Sequence, residues 1–244
     1  MPHQNGVILQ YNQAVYNILY YDGLYSRWTI FHDCGRSDEI KSTGPWWEIQ
    51  DLCTFNMSSA KNGWSEWRPW AHYYQGIFRA NQVIENVNNN ENISETVKKQ
   101  VLGQAYFLRG VFYFNLLKFY GNIPLITKTA SGPEDYFNSQ VNPEQIWEQI
   151  YTDWNKATEL LPIEWDSPNK ARATKGAAIS FLAKAYLWNQ KYTEAAQLFE
   201  SLTKAPYNYV LMPDYGDNFN ETAPQNNAES IFEVQFSSAT GGSN

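Results

Sequence analysis

Histidine, cysteine and basic residues are scarce in this chain, and each shortage closes off a class of function. The three histidines, His3, His32 and His72, are scattered and form no ligand set. The two cysteines, Cys34 and Cys53, fit no metal spacing and no CxxC redox pattern. One loop-tying disulfide and two free thiols both fit them. Lys and Arg together number 18 against 25 Asp and Glu, a net charge of −7. Such a chain lacks the basic stripe that a phosphate backbone requires, so no nucleic-acid partner is expected. There is no apolar run of the roughly 18 residues a membrane span needs. The N-terminal residues Met1–Asn5 lack the basic and apolar regions of a signal peptide. Neither cysteine follows an apolar run, so neither reads as a lipidation site. The glycosylation sequons at Asn56, Asn92 and Asn220 are what chance produces in a chain this rich in Asn.

What the chain has in excess is aromatic residues. They make up 16% of the 244 residues, with 10 Trp and 17 Tyr. The length suits one large domain or two small ones with a real core. Most of these rings are expected to fill gaps between helices. A minority, standing exposed, would be free to stack on a ligand.

Helical signals dominate. An aromatic-aliphatic pattern from Val7 to Tyr25 predicts a first helix stopped at Asp22 and Gly23. From 26 to 67 the pattern breaks up around Gly35, Gly44, Pro45 and Gly63. This stretch is expected to be a long irregular loop, and long ordered loops are usually functional. Tyr73, Ile77, Ala80, Ile84 and Val87 then form one helix face, ended by Asn88–Asn90. Ser94 can cap the next helix, whose stripe is Val97, Val101, Ala105, Leu108 and Phe112. Beyond Ala105 nearly the whole circumference is apolar, so this helix should be central. Arg109 is the exception, and should be paired or snorkel to an edge. Gly121 and Pro124 stop the helix.

Asn142, Pro143 and Gln145 make a helix start, followed by Ile146, Ile150, Trp154, Ala157 and Leu161 at helical spacing. Thr174 opens a helix through Trp188, and Thr193 another through about Thr203. Residues 207–211 and 230–236 look strand-like or irregular, the latter by its alternation. Leu182, Ala183, Tyr186, Ala195 and Phe199 sit at tetratricopeptide spacing, small residues for close approach and rings to fill the gap. Segments 70–88 with 95–119, and 144–161 with 174–188, form comparable hairpins that need stacked neighbours. The expected fold is mainly α: tetratricopeptide-like antiparallel hairpins over 68–204, an irregular ligand-loop region over 26–67, and an irregular segment with minor strand content over 205–244.

Four further stretches stand in order across about 150 residues. The first is Ser37–Ile40. The second is Trp70, Tyr74, Ile77, Arg79, Ala80 and Asn81. The third and strongest runs from Leu108, Arg109 and Gly110 through Tyr113, Phe114 and Leu116 to Tyr120–Leu125. The fourth is Ala171–Ala178 leading to Ala183, Ala185, Tyr186 and Leu187. In their order and spacing these stretches resemble the SusD/RagB family of outer-membrane nutrient-binding lipoproteins, and the resemblance implies a helical scaffold carrying an irregular glycan-binding region, with a lipid anchor at the bacterial cell surface. It implies a SusC-like TonB-dependent transporter as partner, oligosaccharides bound without hydrolysis, and no cofactor. Members are typically about twice this long and carry a leader and an anchoring Cys, so the chain is expected to be a fragment of a longer protein.

A sugar ring offers a flat C–H face for stacking and a rim of hydroxyls for hydrogen bonds. Within 26–67 the candidates are Trp46, Trp47 and Trp64, with Asp51, Asn62, Glu48 and Gln50 as polar neighbours. The resemblance places a stacking ring shortly after Ser37, Asp38 and Glu39, which falls on Trp46 or Trp47. Asp38 and Glu39 themselves are expected to stabilise the loop. Trp70, Trp147, Trp154 and Trp188 lie on helix stripes and are expected in the core. Two other readings compete with glycan capture. A tetratricopeptide protein-interaction scaffold would need a concave groove with clamping basic residues. A glycosidase would need two carboxyls held roughly 5–10 Å apart, one with a raised pKa.

Overall fold

A computed structural model describes residues 11–58, 63–166, 169–220 and 225–236. The described residues begin with a helical segment over 11–16 that tightens into a 3-10 turn, Asn17–Tyr20. Val15, Ile18, Leu19 and Leu24 bury it against the core. Two short helices follow, α1 (Trp28–Cys34) and α2 (Trp47–Cys53). The segment expected to be irregular is therefore partly helical. Each of these helices is only seven residues long, too short to display a repeating stripe.

The scaffold is a ladder of longer helices: α3 (Gly63–Asn88), α4 (Glu95–Tyr120), α5 (Pro143–Leu160), α6 (Lys175–Trp188) and α7 (Tyr192–Leu202). Each packs on the next, α3 on α4, α4 on α5, α5 on α6 and α6 on α7. The expected caps are in place. Ser94 accepts from the Val97 amide at 3.4 Å, Asn142 from Glu144 at 3.4 Å, and Thr174 from Ala177 at 3.1 Å. Gly121 terminates α4 at φ 70°, a left-handed value that costs glycine little.

α4 is the central helix, with every residue from Val101 to Leu117 buried. Trp154 on α5 is fully buried against it and donates its indole N–H to the Phe107 carbonyl at 3.1 Å. Gly110 makes that approach possible, because a Cβ there would run into the Trp154 indole. Arg109 is buried and paired. Its Nε and Nη2 donate to the two carboxylate oxygens of Asp153 at 2.9 and 2.7 Å. Its Nη1 donates to Asn81 Oδ1 at 2.7 Å, and Asn81 in turn donates to the Ile126 carbonyl at 2.9 Å. One guanidinium thus ties α3, α4, α5 and the strap after Pro124 together. Tyr113 completes the strap, donating to the Ile126 carbonyl and accepting from the Ile126 amide, both at 2.7 Å.

Several expectations need correction. Trp188 is 53% exposed, because it is the last residue of α6, where the chain turns toward α7; it still meets Phe114 edge-on at 5.8 Å. Trp70 and Trp147 are only partly buried at the core margin. Phe199 is 38% exposed, since α7 closes the ladder and no described helix covers its outer side. Among the described residues there is no strand, only an isolated antiparallel bridge between Pro124 and Gln140. The alternation of 230–236 belongs to an irregular segment with no partner strand among the described residues. Phe232 packs its ring on Phe107 at 5.0 Å, and Phe236 meets Tyr20 at 5.2 Å. Cys34 and Cys53 are free thiols. No described helix is long and apolar enough to cross a membrane.

Candidate functional site: an exposed tryptophan face

The start of α3 is unusual because Pro69 lies inside the helix. Proline has no N–H, so the Ser65 carbonyl loses the donor four residues on. His32 from α1 replaces it, its Nε2 lying 2.9 Å from that carbonyl. The neighbouring Glu66 carbonyl accepts from the Tyr120 hydroxyl at 2.7 Å, at the far end of α4. His72, one turn further along, accepts from the Gly23 amide at 3.0 Å. The first turns of α3 are therefore clamped from three sides before any ligand arrives.

His32 also has Arg36 Nη2 at 2.8 Å from its Nδ1. A guanidinium can only donate, so Nδ1 is the acceptor and Nε2 carries the proton. Burial lowers the His32 pKa to about 4, which keeps the ring neutral. Arg36 continues to the Glu66 carboxylate at 3.9 Å. Burial pushes Glu66 upward from the usual carboxylate range, with Arg36 opposing.

On this clamped base stand exposed rings: Trp46, Trp47, Trp64 and Trp67, between 41% and 63% accessible. Trp46 caps the N-terminus of α2, and Trp47 is its first residue. Trp64 and Trp67 project from the first turn of α3. Asp22 organises the polar part. Its carboxylate pairs with Arg27 at 3.0 Å and also with Arg68. Arg27 lies 5.3 Å from the centre of the Trp46 ring, and Arg68 lies 3.9 Å from that of Trp64. One acid thus holds two guanidiniums against two tryptophans, each a cation–π contact. Between them is an open depression of about 470 Å³ that Trp47 and Glu48 also line.

Trp46, Trp47 and Trp64, expected from the sequence, are brought to one face. Asp51 is not: it is buried, 7% exposed, on the inner side of α2, where Ile49 and Leu52 are buried too. Its backbone carbonyl accepts from the Asn56 amide at 2.9 Å. Asn62 lies outside the described residues. Gln50 is exposed and donates to the Gly44 carbonyl at 2.5 Å, bracing the loop ahead of α2. Ser37 does similar work, donating to the Cys34 carbonyl at 2.7 Å and accepting from the Glu39 amide at 3.2 Å. Asp38 and Glu39 are exposed at that turn.

Sequence reasoning missed Arg27, Arg68 and Trp67. The signal was there for two of them. Trp64, Trp67 and Arg68 have i, i+3, i+4 spacing, which places them side by side once α3 is known to begin at Gly63. Asp22 and Arg27 pair across a turn that carries no helical signal, and their other partners, Arg68 and Trp46, are distant in the chain. Among the described residues, no group of three His, Cys, Asp or Glu side chains could hold a metal ion.

Fold and site together define a helical-repeat protein that presents tryptophans on a rigid surface. A family model described as "Starch-binding associating with outer membrane", SusD-like, matches residues 9–187, and the chain belongs to this family. A SusD-like protein of Formosa agariphila is 31% identical over 174 residues, covering 68% of this chain and 33% of its own length. A SusD-like protein of Bacteroides ovatus is 28% identical, covering 83% of this chain and 38% of itself. Among solved structures, a laminarin-binding SusD-like protein superposes with a TM-score of 0.83 at 26% identity, over 93% of this chain and 50% of that one. The chain spans half or less of the length of these relatives.

Proposed function

We propose that this chain captures oligosaccharides without cleaving them, at the outer-membrane surface, and hands them to a SusC-like TonB-dependent transporter. The observation that carries this reading is the set of exposed rings Trp46, Trp47 and Trp64, held rigidly beside two oriented arginines. Such rings offer flat apolar faces for pyranose C–H groups. Arg27 and Arg68 donate to hydroxyls, and Glu48 accepts from them. The laminarin-binding relative supports a carbohydrate as the ligand class. The family's association with the outer membrane supports the surface location.

The test is calorimetry and affinity electrophoresis against laminarin, starch, xylan, mannan and pectin. Trp46→Ala and Trp64→Ala should each weaken binding by about 1–3 kcal/mol, by analogy with base–aromatic stacking, while leaving the melting temperature unchanged. Asn62→Ala belongs in the same series. Release of reducing sugar from any of these glycans would replace capture with hydrolysis. Co-purification with a TonB-dependent barrel tests the transporter separately.

A further inference from the structure

The proposed glycan face covers only one side of Trp64. An α-helix turns about 100° per residue, so Arg68 lies about 40° to one side of Trp64 along the helix surface. On the same reckoning Trp67 lies about 60° to the other side, and Trp70 about 120°. The side chains follow this division. Arg68 joins Trp46 and Trp47 around the first depression. Trp67 and Trp70 wall a second one of about 710 Å³, bounded also by Glu66 and Tyr120. Trp64 lines both and is the wall they share.

The two sides differ in chemistry. The first carries two arginines and Glu48. Among the described residues the second is almost wholly aromatic, with Glu66 as its one charged lining residue. Its base is the most firmly held part of the site. Tyr120 meets Trp70 edge-on at 5.1 Å while its hydroxyl is bound to the Glu66 carbonyl. Trp67 nonetheless stays 63% exposed at its rim. An exposed indole over a fixed aromatic base, next to a carboxylate acceptor, suits a pyranose ring: C–H faces on the indole, a hydroxyl donating to the acid. Among the described residues, the basic group paired with that acid is Arg36, which also binds His32. A uronate or sulfated sugar would therefore face Glu66 without compensation.

We propose that this second depression is a further saccharide subsite, continuous with the first across Trp64, and that the ligand is a neutral oligosaccharide long enough to occupy both sides. The inference rests on the glycan-capture reading and adds to it a minimum length, a charge preference and a role for Trp67.

The experiment is calorimetry with size-graded fragments of laminarin and of the other panel glycans, from the disaccharide upward. Wild-type affinity should rise with length in two steps. Trp67→Ala should remove the second step, weakening the longest fragments roughly five- to hundred-fold while the shortest binding fragment is held as in the wild type. Trp67→Phe should restore part of the loss, and Trp46→Ala should weaken every length. Equal weakening by Trp67→Ala at all lengths, or none at any, overturns the subsite and leaves glycan capture standing. Preference for uronate-containing fragments overturns the charge assignment. A change in oligomeric state on Trp67→Ala, read by light scattering, would make this face a contact between copies and overturn the subsite. Failure of the wild type to bind any panel glycan overturns capture and the subsite together.

Discussion

Trp154 and Trp64 are the same residue on two long helices of one molecule, and they are used in opposite ways. Trp154 is fully buried, with its indole N–H satisfied by the Phe107 carbonyl and its ring fitted over Gly110. Trp64 is 60% exposed, with Arg68 against its ring and open depressions beside it. The difference lies in the neighbours. α5 is flanked by α4 and α6, so an apolar stripe finds cover. The first turn of α3 projects beyond the ladder and is held by α1, the Asp22 turn and the end of α4. Burying a ring contributes to stability. A ring left exposed on a rigid base contributes little to stability and is available to a ligand.

The largest test of this contrast is Asp153→Ala. It leaves Arg109 buried and unpaired at the junction of three helices, and should cost about 3–5 kcal/mol of stability by chemical denaturation. Trp154→Ala should cost a similar amount by opening a cavity against α4.

Next comes acid. His32 has a folded pKa near 4, below its unfolded value of 6.5. Its contribution is therefore present above the unfolded value and is lost as pH falls toward the folded one, because the unfolded chain takes up the proton first. Between pH 7 and pH 5 this amounts to about 2 kcal/mol. Melting temperatures should drop over that window, and His32→Gln should flatten the drop. In the folded protein His32 stays neutral over this window and keeps hold of the Ser65 carbonyl, beside Trp64, so the glycan affinity of the folded protein should be unchanged between pH 7 and pH 5. An affinity that falls in step with stability over that window would show that the platform loosens before His32 is protonated.

Thr174→Ala, which removes the N-cap of α6, should cost about 1 kcal/mol. The smallest effect on stability belongs to Trp64→Ala, within about 0.5 kcal/mol. Together with its expected loss of binding, that would establish the contrast with Trp154. A stability loss approaching that of Trp154→Ala would erase it.

Much of the scaffold was legible because it is locally written. Ser94, Asn142 and Thr174 cap helices within three residues of themselves, and Gly121 stops α4 by its own backbone freedom. The breadth of the apolar surface from Val101 to Leu117 announced a central helix. The misreadings share a cause. Trp188 and Phe199 follow the stripe of their helices, but the stripe does not tell where the neighbouring helix ends. The alternation of 230–236 describes an extended chain, not the presence of a partner strand. Asp51 looked like a loop acid because the seven-residue α2 was too short to show its inner side.

The sequence alone determined the helical ladder, its central helix, its family and the stretch where exposed tryptophans would be found. Periodicity, capping and motif spacing are properties of contiguous residues, and they survive without knowledge of the whole. Only the tertiary structure decided that Asp22 would orient both Arg27 and Arg68, that His32 would supply the hydrogen bond Pro69 withholds, and that Trp64 would stand between two depressions. Asp22 and Arg27 are five residues apart, but Asp22 with Arg68 and His32 with Ser65 are separated by 46 and 33, and hydrogen bonds and ring contacts across such separations have no signature along the chain.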